Sequence, residues 1–145
     1  MSIYDALVIG AGPVGSHVAY KLASLGYRVA VFEEHEKVGQ PSCCAGIIGR
    51  ECVERFCIPK EVILREAGSA KLFSPSGNCL RLWKEEPQAC IVNRVAFDGV
   101  WAQRAQGEGA EYFLSSRVRE LVFSHDSVRA NSKCHSEEAQ VEGKT

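Results

Sequence analysis

Four apolar residues in succession, Ala6-Leu7-Val8-Ile9, set the first pattern in the chain. A short unbroken run of this kind suits a strand buried on both faces of a parallel sheet. The period then changes. Val14, Val18, Leu22 and Leu25, with Ala19 and Ala23 beside them, recur every three or four positions, which predicts a helix with these residues on one face. Gly26 is placed to end it, because glycine enters the left-handed region at little cost. Val29 to Phe32 predicts a second buried strand that finishes on Glu33, so residues 4–33 read as a βαβ unit with a right-handed crossover.

Beyond it the pattern is more broken. Glu34 to Gly49 holds Gly39, Pro41, Gly46 and Gly49 and reads as a loop. Cys52, Val53 and Phe56 predict a short helix that stops before Pro59. Lys71–Ser74 and Cys79–Trp83 flank the turn cluster Pro75-Ser76-Gly77-Asn78 and predict a hairpin, and Ala89–Val92 predicts another strand. Phe97, Val100, Trp101 and Ala105 return to helical spacing, ended by Gly107 and Gly109, and Glu111–Leu114 is strand-like. Val118–Phe123 and Ser127–Ala130 predict a second hairpin around His125-Asp126, while His135 to Thr145 is polar and predicts no element. These readings divide the chain into a βαβ unit (4–33), a loop and hairpin region (34–92), and a helix, strand and hairpin (93–135).

Composition narrows the partners. With 145 residues, 46% hydrophobic, 24% charged and a net charge of -1, the chain is of ordinary globular make-up, not disordered or collagen-like. The near-zero charge offers no basic surface for nucleic acid, and no run of apolar residues is long enough to predict a transmembrane segment. The seven cysteines are odd in number and predict no complete disulfide framework. Adjacent Cys43 and Cys44 make a poor chelating pair and Cys52 and Cys57 lack a second pair, so no metal site is expected. The start of the chain lacks a positive signal region, and a cytoplasmic setting is expected.

The candidate chemistry lies at Gly10-Ala11-Gly12-Pro13-Val14-Gly15, a GxGxxG that follows a predicted strand and opens a predicted helix. Glu33 comes 18 residues after Gly15, at the end of the next strand, the spacing a dinucleotide site needs. Gly10 would allow the tight turn, Gly12 would let a pyrophosphate approach the backbone, and Gly15 would let helix and strand pack closely. The helix start, with Pro13 and Val14 in its first turn, would present N–H groups and a positive dipole end to the phosphates. Glu33 would accept hydrogen bonds from the adenosine ribose, with Glu34 beside it. NAD and FAD folds share this fingerprint. The position of the unit at the start of the chain, and a following loop that ends on Cys43-Cys44-Ala45-Gly46, favour FAD.

The string from Tyr4 to Ser16, then Glu33, then Gly39-Gln40-Pro41-Ser42-Cys43-Cys44-Ala45-Gly46-Ile47-Ile48, resembles the N-terminus of the geranylgeranyl reductase family of flavoproteins. Asn93-Arg94-Val95-Ala96-Phe97-Asp98 is similar to an Arg-x-x-Phe-Asp segment further along that family. The resemblance implies an α/β, Rossmann-like FAD-binding domain of the hydroxybenzoate-hydroxylase type, with hairpin insertions, and reduction of double bonds in an isoprenoid lipid or quinone. It implies that Gly10, Gly12, Gly15 and Glu33 bind the adenosine diphosphate, that Arg94 lies against FAD, and that Cys44 lies near the flavin and substrate cavity. Cys43 departs from the pattern, standing where many relatives carry arginine or another polar residue.

The resemblance further implies later segments, a Gly-Asp contact to FAD and a separate substrate domain, that do not follow Ser136-Glu137-Glu138. The expectation is therefore an incomplete FAD-binding domain without its substrate domain, inactive alone, in a protein with peripheral membrane contact. The alternatives are a dinucleotide-binding module without redox activity or an NAD-dependent dehydrogenase domain.

Overall fold

The computed structural model describes residues 3–42, 44–123, 125, 127–133 and 138–144, with backbone alone for Lys133 and 138–144. It falls into two units, Met1–Ser42 with Asp98–Thr145, and Cys43–Phe97.

The first unit is built on a parallel sheet of β2 (Ala6–Ile9), β3 (Val29–Phe32) and β9 (Glu111–Phe113), in the order β2-β3-β9. The central strand, Val29-Ala30-Val31-Phe32, is buried at every position, as its unbroken apolar sequence requires. Its alternation divides the core. Val29 and Val31 pack with Ala11, with Ala19 and Ala23 of α1 (Pro13–Ser24) and with Ala105 of α3 (Arg94–Gly107). Ala30 and Phe32 pack with Tyr4 and Ala130, which belong to a second sheet. That sheet runs β1-β12-β11-β10: β1 (Ile3–Tyr4), β10 (Arg117–Phe123), β11 (Ser127–Lys133) and β12 (Glu138–Lys144). Phe113 stacks on Phe32 with ring centroids 5.2 Å apart and meets Tyr4 edge-on. Full burial of a valine or phenylalanine contributes about 1.5–3 kcal/mol, so β3 is the main hydrophobic anchor of this unit.

The second unit carries an antiparallel sheet, β4 (Ile47–Gly49), β8 (Ala89–Val92) and β5 (Ile63–Ala67), in the order β4-β8-β5. A hairpin of β6 (Ser69–Phe73) and β7 (Cys79–Trp83), the short helix α2 (Arg50–Arg55) and a 3-10 turn at Lys60–Val62 complete it.

Four differences from the sequence reading have physical causes. The buried residues of α1 are Ser16, Ala19 and Ala23, whereas Val14, Val18 and Leu25 are exposed. The apolar periodicity was real, but close packing of helix on strand selects the face with the smallest side chains. The expected loop 34–49 ends instead in β4, paired with β8 through Ile47 to Gly49. Ile63–Ala67, where no element was expected, forms β5. The polar stretch after His135 contains β12, which pairs antiparallel with β11 and parallel with β1. Backbone hydrogen bonding, satisfied on both sides, places this strand without an apolar run to announce it. Cys43, Asp126 and Cys134 lie outside the described residues.

Candidate nucleotide-binding site

The end of β2 turns sharply at Gly10, whose φ of +96° is one that glycine adopts at no steric cost, and Gly10 N–H donates to the Phe32 carbonyl at 2.7 Å. Gly12 is the residue before the helix, with Pro13 at its first position, where a missing N–H costs nothing. No side chain caps this helix start and no acidic residue lies in its first turn. The first N–H groups of α1 and the positive end of its dipole thus remain without a competing side-chain acceptor.

The three glycines differ in what a side chain would meet. A Cβ on Gly12 would meet nothing within 4 Å, which leaves room for a ligand at the helix start. On Gly15 it would stand 2.1 Å from the Gly10 carbonyl oxygen and 3.3 Å from Val8 Cγ1, so Gly15 lets helix and strand touch. Ser16, fully buried, fastens the same turn: its N–H donates to the Gly12 carbonyl at 2.9 Å and its hydroxyl to the Ala11 carbonyl at 3.1 Å.

Glu33 faces this turn from the end of β3. Its Oε2 accepts from Ala11 N–H at 2.8 Å, and its Oε1 accepts from His35 N–H at 3.0 Å and lies 2.6 Å from His35 Nδ1. Burial alone would raise its pKa, but the Ala11 and His35 N–H donors, with the His35 ring and its charge, outweigh that and hold the carboxyl below its usual range. Glu33 is therefore an ionised acceptor fixed against the glycine turn. A cleft of about 210 Å³ opens beside it, lined by Ile9, Gly10, Phe32, Glu33, Glu34, Ser116, Arg117 and Val118. Glu34 at its rim pairs with Arg117 at 3.4 Å. The wall from Ser116 to Val118 and the histidine on Glu33 were not visible in the sequence, because a strand more than 80 residues away supplies the first and loop geometry the second.

The other two sequence candidates lie in the second unit, beside Gly46. Gly46 N–H donates to Cys44 Sγ at 3.4 Å. A Cβ on Gly46, which has a φ of +70°, would stand 2.5 Å from the Val92 carbonyl oxygen and 3.1 Å from Arg94 Cγ. The glycine thus lets the Arg94 stem lie close, with its guanidinium 5.9 Å from the Phe97 ring centroid. Among the described residues no group of three or more His, Cys, Asp or Glu could hold a metal ion.

The sequence profile of the FAD dependent oxidoreductase family (DAO) matches residues 5–122. This chain belongs to that family. Within the family it resembles the N-terminal part of geranylgeranyl reductases. It is 32% identical over 136 residues to a digeranylgeranylglycerophospholipid reductase of Methanosarcina mazei, covering 91% of this chain and 33% of the relative. A geranylgeranyl diphosphate reductase of Rhodobacter capsulatus is 31% identical over 116 residues, covering 80% of this chain and 29% of that one. The chain therefore spans about a third of the length of the curated relatives it matches.

The fold agrees. A geranylgeranyl bacteriochlorophyll reductase-like structure from Thermoplasma acidophilum superimposes with a TM-score of 0.87 at 25% identity, covering 99% of this chain and 38% of its own. A p-nitrophenol 4-monooxygenase from Pseudomonas putida shares the fold alone, with a TM-score of 0.79 at 19% identity and coverage of 99% and 40%. The α/β, Rossmann-like fold expected from the sequence is the one observed. No helix among the described residues is long and apolar enough to cross a membrane.

Proposed function

We propose that this FAD-dependent oxidoreductase chain binds FAD with the adenosine diphosphate half on the Gly10–Gly15 turn and Glu33, and that in the whole protein it serves reduction of isoprenoid double bonds. The observation that carries the first part is the pairing of an ionised Glu33, fixed on Ala11 N–H, with an uncapped helix start and open space at Gly12. In this reading Pro13, Val14 and Gly15 form the helix turn under the pyrophosphate, Glu33 accepts from the ribose, and Glu34 and the Ser116–Val118 wall border the adenosine cleft. Bound FAD would supply hydride chemistry at its ring, while the chain's own residues bind and orient its adenosine end.

The second part rests on the relatives, which are named as reductases of geranylgeranyl lipids or diphosphates. It makes an isoprenoid lipid or quinone the substrate and a cytoplasmic protein with peripheral membrane contact the setting. Arg94 and Cys44 enter as contacts of the flavin end on the resemblance, supported by their common placement at Gly46.

Glu33→Gln tests the first part. The amide keeps one acceptor oxygen for Ala11 N–H but loses the charge, and hydrogen bonds to charged groups are worth about 1.5–3 kcal/mol. Affinity for ADP and FAD, read by calorimetry, is expected to fall by about tenfold or more. Unchanged affinity would overturn the assignment of Glu33.

A further inference from the structure

A carboxylate offers about four lone-pair positions to donors. On Glu33 three are taken, by Ala11 N–H on Oε2 and by His35 N–H and His35 Nδ1 on Oε1. Because a carboxylate only accepts, the 2.6 Å contact requires the His35 ring to carry its proton on Nδ1. A ribose diol brings two hydroxyls, and one open position cannot receive both.

One of the three donors must yield, and two are held by backbone. Ala11 N–H sits in the turn that Gly10 fastens to Phe32 at 2.7 Å. His35 N–H belongs to a loop whose His35 carbonyl accepts from Ser115 N–H at 3.0 Å, next to Ser116 N–H on the Glu33 carbonyl at 2.8 Å. The His35 ring is 45% exposed and turns about its own side-chain bonds. We propose that His35 is a positioning residue for nucleotide recognition: its imidazole holds Glu33 Oε1 in the free chain and competes with the ribose diol for it. The inference rests on the adenosine diphosphate reading above and adds the group that the ligand displaces.

The test compares ADP with 2′,3′-dideoxy-ADP, which has the same phosphates and no diol, on the full chain and on His35→Ala. His35→Ala is expected to bind ADP about fivefold more tightly than the parent, with no difference for the dideoxy compound. His35→Ala binding ADP no more tightly than the parent, or changing both ligands equally, would overturn the inference and leave the nucleotide reading standing. Absence of ADP binding by the parent would overturn both.

Discussion

Gly12→Asp is expected to leave the chain at least as stable as the parent and to reduce its affinity for FAD or ADP by about a hundredfold or more. Gly12 has φ -65° and ψ 176°, extended backbone open to any residue, and a Cβ there meets nothing within 4 Å. Aspartate is among the best residues to precede a helix, since its carboxylate accepts from the first-turn N–H groups, here those of Val14 and Gly15. Relative to glycine this adds a few tenths of a kcal/mol to stability. The same N–H groups are those a pyrophosphate would use, and the new charge faces the phosphates. Two unit charges about 4 Å apart at an effective dielectric of about 20 repel by about 4 kcal/mol, and solvent at this open turn reduces that toward the hundredfold stated. Thermal unfolding and calorimetry on the same preparation check both halves. Retained affinity would show that the nucleotide does not sit on this turn.

Gly15→Ala is expected to do the reverse damage. Within a helix, alanine for glycine ordinarily stabilises by about 1 kcal/mol. Here the methyl group would stand 2.1 Å from a carbonyl oxygen of the backbone, in a turn fastened by Gly10 N–H and buried Ser16. Neither partner is a flexible side-chain end that could move aside. Overpacking of this kind costs about 1–3 kcal/mol and occasionally more, and it outweighs the helix gain. The melting temperature should fall by several degrees, at roughly 2–4 °C per kcal/mol for a chain of this size. A higher melting temperature for Gly15→Ala would contradict the packing described here. The two glycines separate recognition from folding within one motif, because one faces open space and the other faces backbone.

The βαβ unit could be read from the sequence because each of its signals is local. The run at Val29–Phe32 is buried throughout, and the glycine spacing places Glu33 against Ala11. Where burial depends on distant partners, the signal fails. Val14, Val18 and Leu25 have helical periodicity but are exposed, since Ser16, Ala19 and Ala23 are the residues small enough for the close contact that Gly15 permits. β4 was hidden because it is short, ends in glycine and follows a loop rich in glycine and proline. β12 was hidden because it is polar and is held by strand partners on both sides. At the site, Glu33 was legible from spacing. His35 was not, because two residues of separation in a loop say nothing about where an imidazole points.

In the proposed function the Gly10–Gly15 turn and Glu33 form the seat of the adenosine diphosphate half of FAD. Amide-resolved NMR of the labelled chain during titration with FAD tests it most directly. The largest shifts are expected at the amides of Gly10, Ala11, Gly12, Val14 and Gly15 and from Glu33 to His35. Saturating FAD that leaves these amides unmoved, or shifts confined to other parts of the chain, would contradict it.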